Sequence, residues 1–225
     1  MPNIILISGK KQHGKTTLAD FISGSFGYKK LPFASGLKFL DSMFREKLEI
    51  EAKKNDINKA LVVDKGIEST LKDMGLDNRG LEVSIYNEYV NNPEFMEQEN
   101  GKFRRALQIL GTDILRTKDP YCHVRFVCNF INRMTADGLV PHDFVIDDAR
   151  FENEINMRNW EELPFDAKRY KWHNVLVHRV GYESDDTHAS EQIPMDANYN
   201  SIVLAKNKVE LFTGALISDL GEFLK

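Results

Sequence analysis

NIILISGKKQHGKTTLA, residues 3–19, changes character twice within a few positions. Asn3 to Ser8 is an apolar run rich in Ile and Leu, short enough for a buried strand. Gly9, Gly14, Lys15 and Thr16 then spell G-x-x-x-x-G-K-T, and an amphipathic helix follows with Leu18, Ala19 and Ile22 on one side. Strand, glycine loop and helix in this order are the context of a P-loop. The physics is specific. Successive backbone N–H groups of such a loop converge on phosphate oxygens, and the helix N-terminus adds the positive end of its dipole. The glycines let the backbone turn and approach the phosphates without a Cβ in the way. Lys15 is expected to reach the β- and γ-phosphates as the catalytic cation, and the Thr16 hydroxyl to ligate Mg²⁺. The expected ATP contacts are Gly9, His13, Gly14, Lys15, Thr16 and Thr17.

The rest of the composition sets bounds. A chain of 225 residues with 42% hydrophobic residues can bury one substantial α/β domain, or one domain plus a subdomain. A formal net charge of −4 gives no support to a protein coated in nucleic acid and leaves room for a local basic cleft. Cys122 and Cys128 lie six apart, which is no metal-binding pattern, and reduced thiols are expected. The N-terminus runs straight into a strand without the charged and apolar regions of a signal peptide. No apolar stretch approaches the ~20 residues of a membrane span. These features lead us to expect a soluble cytoplasmic protein.

Taken in order, Leu31 to Ala34 reads as a second strand, and Ser35-Gly36 opens a helix from about residue 37 to 48, with Ser35 as its N-cap. Residues 49–101 are rich in charge, Asn and Gly and hold short helical patterns but no strong strand. We expect an inserted, mostly helical and mobile subdomain there, a lid on the acceptor side of a bound nucleotide. Phe103, Ala106, Leu107, Leu110 and Ile114 form an apolar helical stripe, which sets Arg104, Gln108, Gly111 and Thr112 along another side. A helix is expected over 122–134. Phe144 to Ile146 reads as a buried strand carrying Asp147 and Asp148 at its C-terminal end, where ligands bind in open α/β sheets. A helix over 151–160, a strand over 174–180, a polar loop over 181–194, a strand over 201–205 and a helix over 209–224 complete the chain. Five strands alternating with helices predict an α/β, three-layer P-loop domain over residues 1–225 with a parallel sheet. Two guanine-nucleotide signals are imitated without being met. Asp77 to Gly80 has the spacing of Asp-x-x-Gly but sits in the polar insertion, and Asn207-Lys208-Val209-Glu210 lacks the final Asp of the guanine loop.

Several pieces together carry a resemblance. The glycine loop, FASGLK at 33–38, RRALQILGTD at 104–113, IDDARFENE at 146–154 and DTHASE at 186–191 resemble the bacteriophage deoxynucleoside monophosphate (dNMP) kinases, over about half the chain. The resemblance implies a nucleoside monophosphate kinase-like fold and transfer of the ATP γ-phosphoryl group to a dNMP. The family pattern R-R/K-x-x-Q-x-x-G-T falls on Arg104, Arg105, Gln108, Gly111 and Thr112, and D-x-R-x-x-x-E falls on Asp148, Arg150 and Glu154. In that family these residues hold the acceptor nucleotide. An aromatic residue usually follows the first cluster; His123 is nearest here, with the spacing one residue short. Thr16 stands where these enzymes often carry Asp, and restores the ordinary P-loop metal ligand. His188 and Glu191 match the family's His-x-Ser-Glu in the 181–194 loop, which is expected to act as a lid.

The chemistry such residues suit is phosphoryl transfer. The acceptor phosphate is already a competent dianionic nucleophile, so the protein has to align two anions and neutralise charge rather than move protons. Arg104 and Arg105 can clamp the acceptor phosphate, and Arg150 can contact it or the transferring group; read alone, the first two also fit a solvated helix face. Asp148 can hold Mg²⁺ or accept from the sugar hydroxyl. Gln108 offers a donor and an acceptor to a base edge. Arg179 ends a strand before the polar loop and suits a lid arginine on the phosphates. The expected partners are ATP with Mg²⁺ and a dNMP, with no stable nucleic acid and no membrane; a homodimer is allowed, and a viral protein would work in the host cytoplasm. Two alternatives stay open on the residues alone: another small-molecule P-loop kinase, of the phosphomevalonate or dephospho-coenzyme A type, and a nucleic-acid 5′-end kinase.

Overall fold

Ile4 to Ile7 are buried without a break, as a strand covered on both faces requires, and Asn3–Ser8 forms β1. Its neighbours are β3 (Phe144–Ala149) and β4 (Lys171–Arg179), with Ile4 opposite Phe144 and Trp172. A short β2 (Lys29–Lys30) lies outside β3, and β5 (Ser201–Ala205) outside β4. The sheet order is β2-β3-β1-β4-β5 and every pairing is parallel. This computed structural model describes residues 1–53, 57–76, 79–96, 102–135, 142–162, 166–182, 192–194 and 197–224. The chain divides into two compact units, Met1–Phe33 with Cys128–Lys225, and Ala34–Val127.

In the sheet unit the side-chain alternation of the strands sorts the core. Ile5, Ile7, Val145, Val175, Val177 and Val203 project to one face. There they meet Leu18, Ala19 and Ile22 of α1 (Lys15–Phe26), Leu211 and Ala215 of α10 (Lys208–Ile217) and Leu220 of α11 (Asp219–Phe223). Ile4, Leu6, Phe144, Ile146 and Leu176 are buried on the other face. On that face the Asn174 amide donates to the Ile155 carbonyl, 3.1 Å, at the end of α9 (Glu152–Ile155).

The second unit is helical among its described residues: α2 (Ser35–Lys53), α3 (Ile57–Asp73), α4 (Arg79–Asn91), α5 (Pro93–Met96), α6 (Lys102–Gln108), a π-helical stretch Ile109–Leu115, α7 (Arg116–Lys118) and the start of α8 (Cys122–Thr135). Residues 49–101 fall inside it. Tyr89 on α4 is fully buried, stacked on Phe44 of α2 at 5.3 Å and against Phe95 of α5 at 4.5 Å. Its hydroxyl donates to the buried Asp41 carboxylate, 2.7 Å, and Arg45 donates to the other oxygen of that carboxylate, 2.9 Å. The anion is thereby paired and its burial compensated.

Several elements differ from the sequence expectation, each for a local reason. The second strand ends at Lys30, before the apolar Leu31–Ala34: Pro32 has no N–H to give a ladder, and the Phe33 N–H goes to Asp148 Oδ1, 2.7 Å. Lys38 N–H bonds to the Ala34 carbonyl, 2.9 Å, so Ser35 lies inside the first turn of α2 and does not cap it. Asp147 and Asp148 belong to β3 itself. The helix expected over 151–160 stops at Ile155 and resumes as a 3₁₀ turn, Met157–Asn159. The last helix breaks at Ser218, which turns extended at ψ 175°. Asn207, in the false guanine motif, caps α10 by accepting from the Glu210 N–H, 3.0 Å.

Candidate functional site

The register of β1 places the glycine loop. Ser8, its last residue, stands opposite Ala149 of β3 and Leu176 of β4, so the loop from Gly9 to Gly14 emerges between the C-terminal ends of these two strands. Arg150 follows on one side, and His178 with Arg179 on the other. Ligands sit at this edge of open parallel sheets.

Three residues of the loop have positive φ: Gly9 at 146°, Gln12 at 62° and Gly14 at 97°. Gly9 is required twice over, since a Cβ there would also run into the Val177 carbonyl. Gly14 is the N-cap of α1, and no side chain caps that end. The first N–H groups of a helix point outward along its axis at this end, the arrangement an anion completes. Lys15 is buried to 8% exposure and folds back over the loop, donating to the Gly9 carbonyl at 2.5 Å and the Lys10 carbonyl at 2.7 Å. Thr16 is exposed in the first turn and Thr17 half-buried behind it.

His13 closes the loop from inside. Its Nδ1 lies 3.3 Å from the Val177 carbonyl oxygen, and its ring meets His178 edge-on at 5.1 Å and Tyr182 at 5.9 Å. The Arg179 guanidinium lies over the Tyr182 ring, 5.4 Å from its centroid. Burial holds His13 below the usual histidine range; His178, Lys15 and Lys10 push the same way, against the Val177 hydrogen bond. Across the loop, Asp148 is held through Oδ1 by the Phe33 N–H. Asp147 is turned to the α1 side, 3.7 Å from Lys30. Glu154 is 2% exposed and its Oε2 accepts from the backbone N–H of Arg150, 2.8 Å, and of Phe151, 3.1 Å. Its carboxylate thus fixes the turn that carries Arg150 out of β3.

The remaining candidates lie in the helical unit. Arg104, Arg105 and Gln108 are on α6, and Gly111 and Thr112 on the π-helical stretch that continues it. Arg105 is exposed, with Glu94 3.6 Å from its Nε; Arg104 and Gln108 are half-buried. Gly111 is packed so closely that a Cβ would stand 2.7 Å from Leu37 Cδ2. The His123 ring lies against it, Nε2 3.4 Å from the Gly111 carbonyl. Burial first, and the Arg116 charge second, push this imidazole down to about 3, so it is neutral and donates through Nε2. His188 and Glu191 fall outside the described residues.

The structure thus gathers Gly9, His13, Gly14, Lys15, Thr16, Thr17, Asp148, Arg150, Glu154 and Arg179 at one edge of the sheet unit, while Arg104, Arg105, Gln108, Gly111 and Thr112 lie along successive turns of α6 and its π-helical continuation in the other, with His123 of α8 against Gly111. Sequence reasoning missed the Val177 carbonyl, His178 and Tyr182. A carbonyl carries no residue-type signal, and a strand-end histidine is common; the signal available was their position at the C-terminal end of a strand next to the loop.

No family model matches the chain. It is similar to a protein of Acanthamoeba polyphaga mimivirus named "Putative deoxynucleotide monophosphate kinase", 32% identical over 123 residues. That stretch is 51% of this chain, and it spans 59% of the relative's length. Among the described residues, no helix is long and apolar enough to cross a membrane.

Proposed function

We propose that the chain is a dNMP kinase, transferring the γ-phosphoryl group of ATP to the phosphate of a deoxynucleotide to give ADP and a dNDP. The observation that carries this reading is the loop from Gly9 to Thr16: two glycines at positive φ, the second of them the N-cap of α1, and Lys15 folded across the loop carbonyls. On this reading the loop is a P-loop. The mimivirus relative's name and the acceptor motifs at 104–112 and 148–154 direct the reading from ATP use in general to a nucleotide acceptor. The tie to bacteriophage enzymes rests on those motifs alone.

Each residue has its role on this reading. Loop amides and the α1 N-terminus take the triphosphate. Lys15 exchanges its two carbonyl partners for phosphate oxygens, a charge contact that strengthens as charge moves onto the β–γ bridge. Thr16 and Asp148 offer the hard oxygen donors Mg²⁺ prefers, and one or two such protein oxygens plus phosphates are its habit. The ion supplies charge neutralisation between the β- and γ-phosphates. Arg150, fixed by the Glu154 cap, and Arg179 supply further cations at the sheet edge. Arg104, Arg105 and Gln108 hold the acceptor.

Coupled ADP release against a panel of dNMPs and NMPs, with ATP and Mg²⁺, tests this. Activity with at least one dNMP is expected, and Lys15→Ala should lower it by more than about a hundredfold, as loss of a preorganised charge contact does. ATP turnover that ignores every nucleotide acceptor would overturn the reading. Arg104→Ala should impair dNMP binding and leave ATP binding nearly unchanged; the reverse pattern would exchange the two site assignments.

A further inference from the structure

Two atoms of the loop converge on one backbone oxygen. Gly9 passes so close to the Val177 carbonyl that no Cβ fits, and His13 Nδ1 lies 3.3 Å from the same oxygen. Val177 is fully buried and pairs with Val203 of β5, one residue past the point where the β1–β4 register ends at Ser8 opposite Leu176. A carbonyl oxygen only accepts, so the proton of the neutral imidazole has to be on Nδ1. Nε2 then carries a lone pair; it is buried, and among the described residues nothing donates to it. His178 and Tyr182 wall the ring edge-on, which fixes its plane.

We propose that His13 is a positioning residue: through Nδ1–H it ties the glycine loop to the Val177 carbonyl near the end of β4, and so holds the loop amides in the phosphate-receiving arrangement. The inference rests on the nucleotide reading for its consequence, though not for the tether. The tether is worth one neutral hydrogen bond made in a preorganised loop, on the order of tenfold in an equilibrium constant. Lys15 gains from it indirectly. Its two carbonyl partners, Gly9 and Lys10, are held only if the loop between them and Gly14 is held.

The geometry of substitutes separates this role from mere bulk. The amide nitrogen of Asn branches from Cγ as Nδ1 does, whereas that of Gln falls where Nε2 is. His13→Ala and His13→Gln should speed amide exchange of residues 10–14 in the free protein and weaken binding of MgATP by about tenfold. His13→Asn should recover most of both losses. The imidazole ¹⁵N spectrum of the unliganded wild type should show the Nδ1-protonated tautomer. Unchanged loop exchange in His13→Ala, equal behaviour of the Asn and Gln variants, or an Nε2-protonated ring would each overturn the proposal. If His13→Ala does not fold, the Asn and Gln pair decides the matter alone. If the wild type does not bind MgATP, the nucleotide reading falls, while exchange and tautomer still decide the tether.

Discussion

At the scale of single residues, two glycines show how the same deletion of a Cβ serves different ends. Gly9 combines φ 146° with a fixed carbonyl in the way; Gly111 has only the end of the Leu37 side chain to avoid. A backbone obstacle cannot yield, and a leucine methyl can rotate. Gly9→Ala should therefore cost about 3 kcal/mol or more, from left-handed strain plus a collision, and Gly111→Ala nearer 1 kcal/mol of overpacking. Urea unfolding of the two variants measures this, and equal losses would contradict it. Glu154 poses a similar comparison. Its carboxylate takes two backbone N–H groups, so Glu154→Ala should cost about 1–2 kcal/mol and Glu154→Gln less, since the amide oxygen still accepts.

At the scale of elements, what could be read in advance was whatever depends on side-chain period and turn chemistry. The β1 run, the glycine loop and the α1 stripe follow from apolar spacing, and four of the five strands overlap the ranges expected, while β2 lies just before its own. Boundaries were decided by particular hydrogen bonds that no pattern contains. The Phe33 N–H leaves the ladder for Asp148, and β2 is cut to two residues. The stripe at Phe103, Ala106, Leu107, Leu110 and Ile114 does not announce that the turn from Ile109 widens to a π-helix. That turn carries Gly111 and Thr112, so the side they share with Arg104 is displaced from the one straight helical spacing gives. The turn of the loop was legible because Gly9 and Gly14 are the residues that accept positive φ without strain. The partner of His13 was not, because it is main chain.

At the scale of the molecule, three buried histidines act in one direction. His123 is pushed down to about 3, and His13 and His173 are lowered, each chiefly by burial. Unfolding returns them to about 6.5, so below that pH the unfolded chain binds protons that the native one refuses. Their contribution is complete above about pH 6.5 and is lost progressively as the pH falls toward 3. The melting temperature should decline through this window. His123→Gln, which keeps a donor for the Gly111 carbonyl and cannot ionise, should flatten part of the slope; a parallel curve would show that His123 is not its source. The division of the chain also has a history in time. β1 pairs Ile4 with Phe144 and Asn3 with Lys171, whereas Ala34–Val127 closes upon itself. During synthesis β1 therefore emerges on the order of ten seconds before either strand it needs. The helical unit can fold in that interval, from contacts near in sequence. The glycine loop is thus made well before the strands that frame it, and an apolar strand with both edges unpaired has to be kept from other chains while it waits.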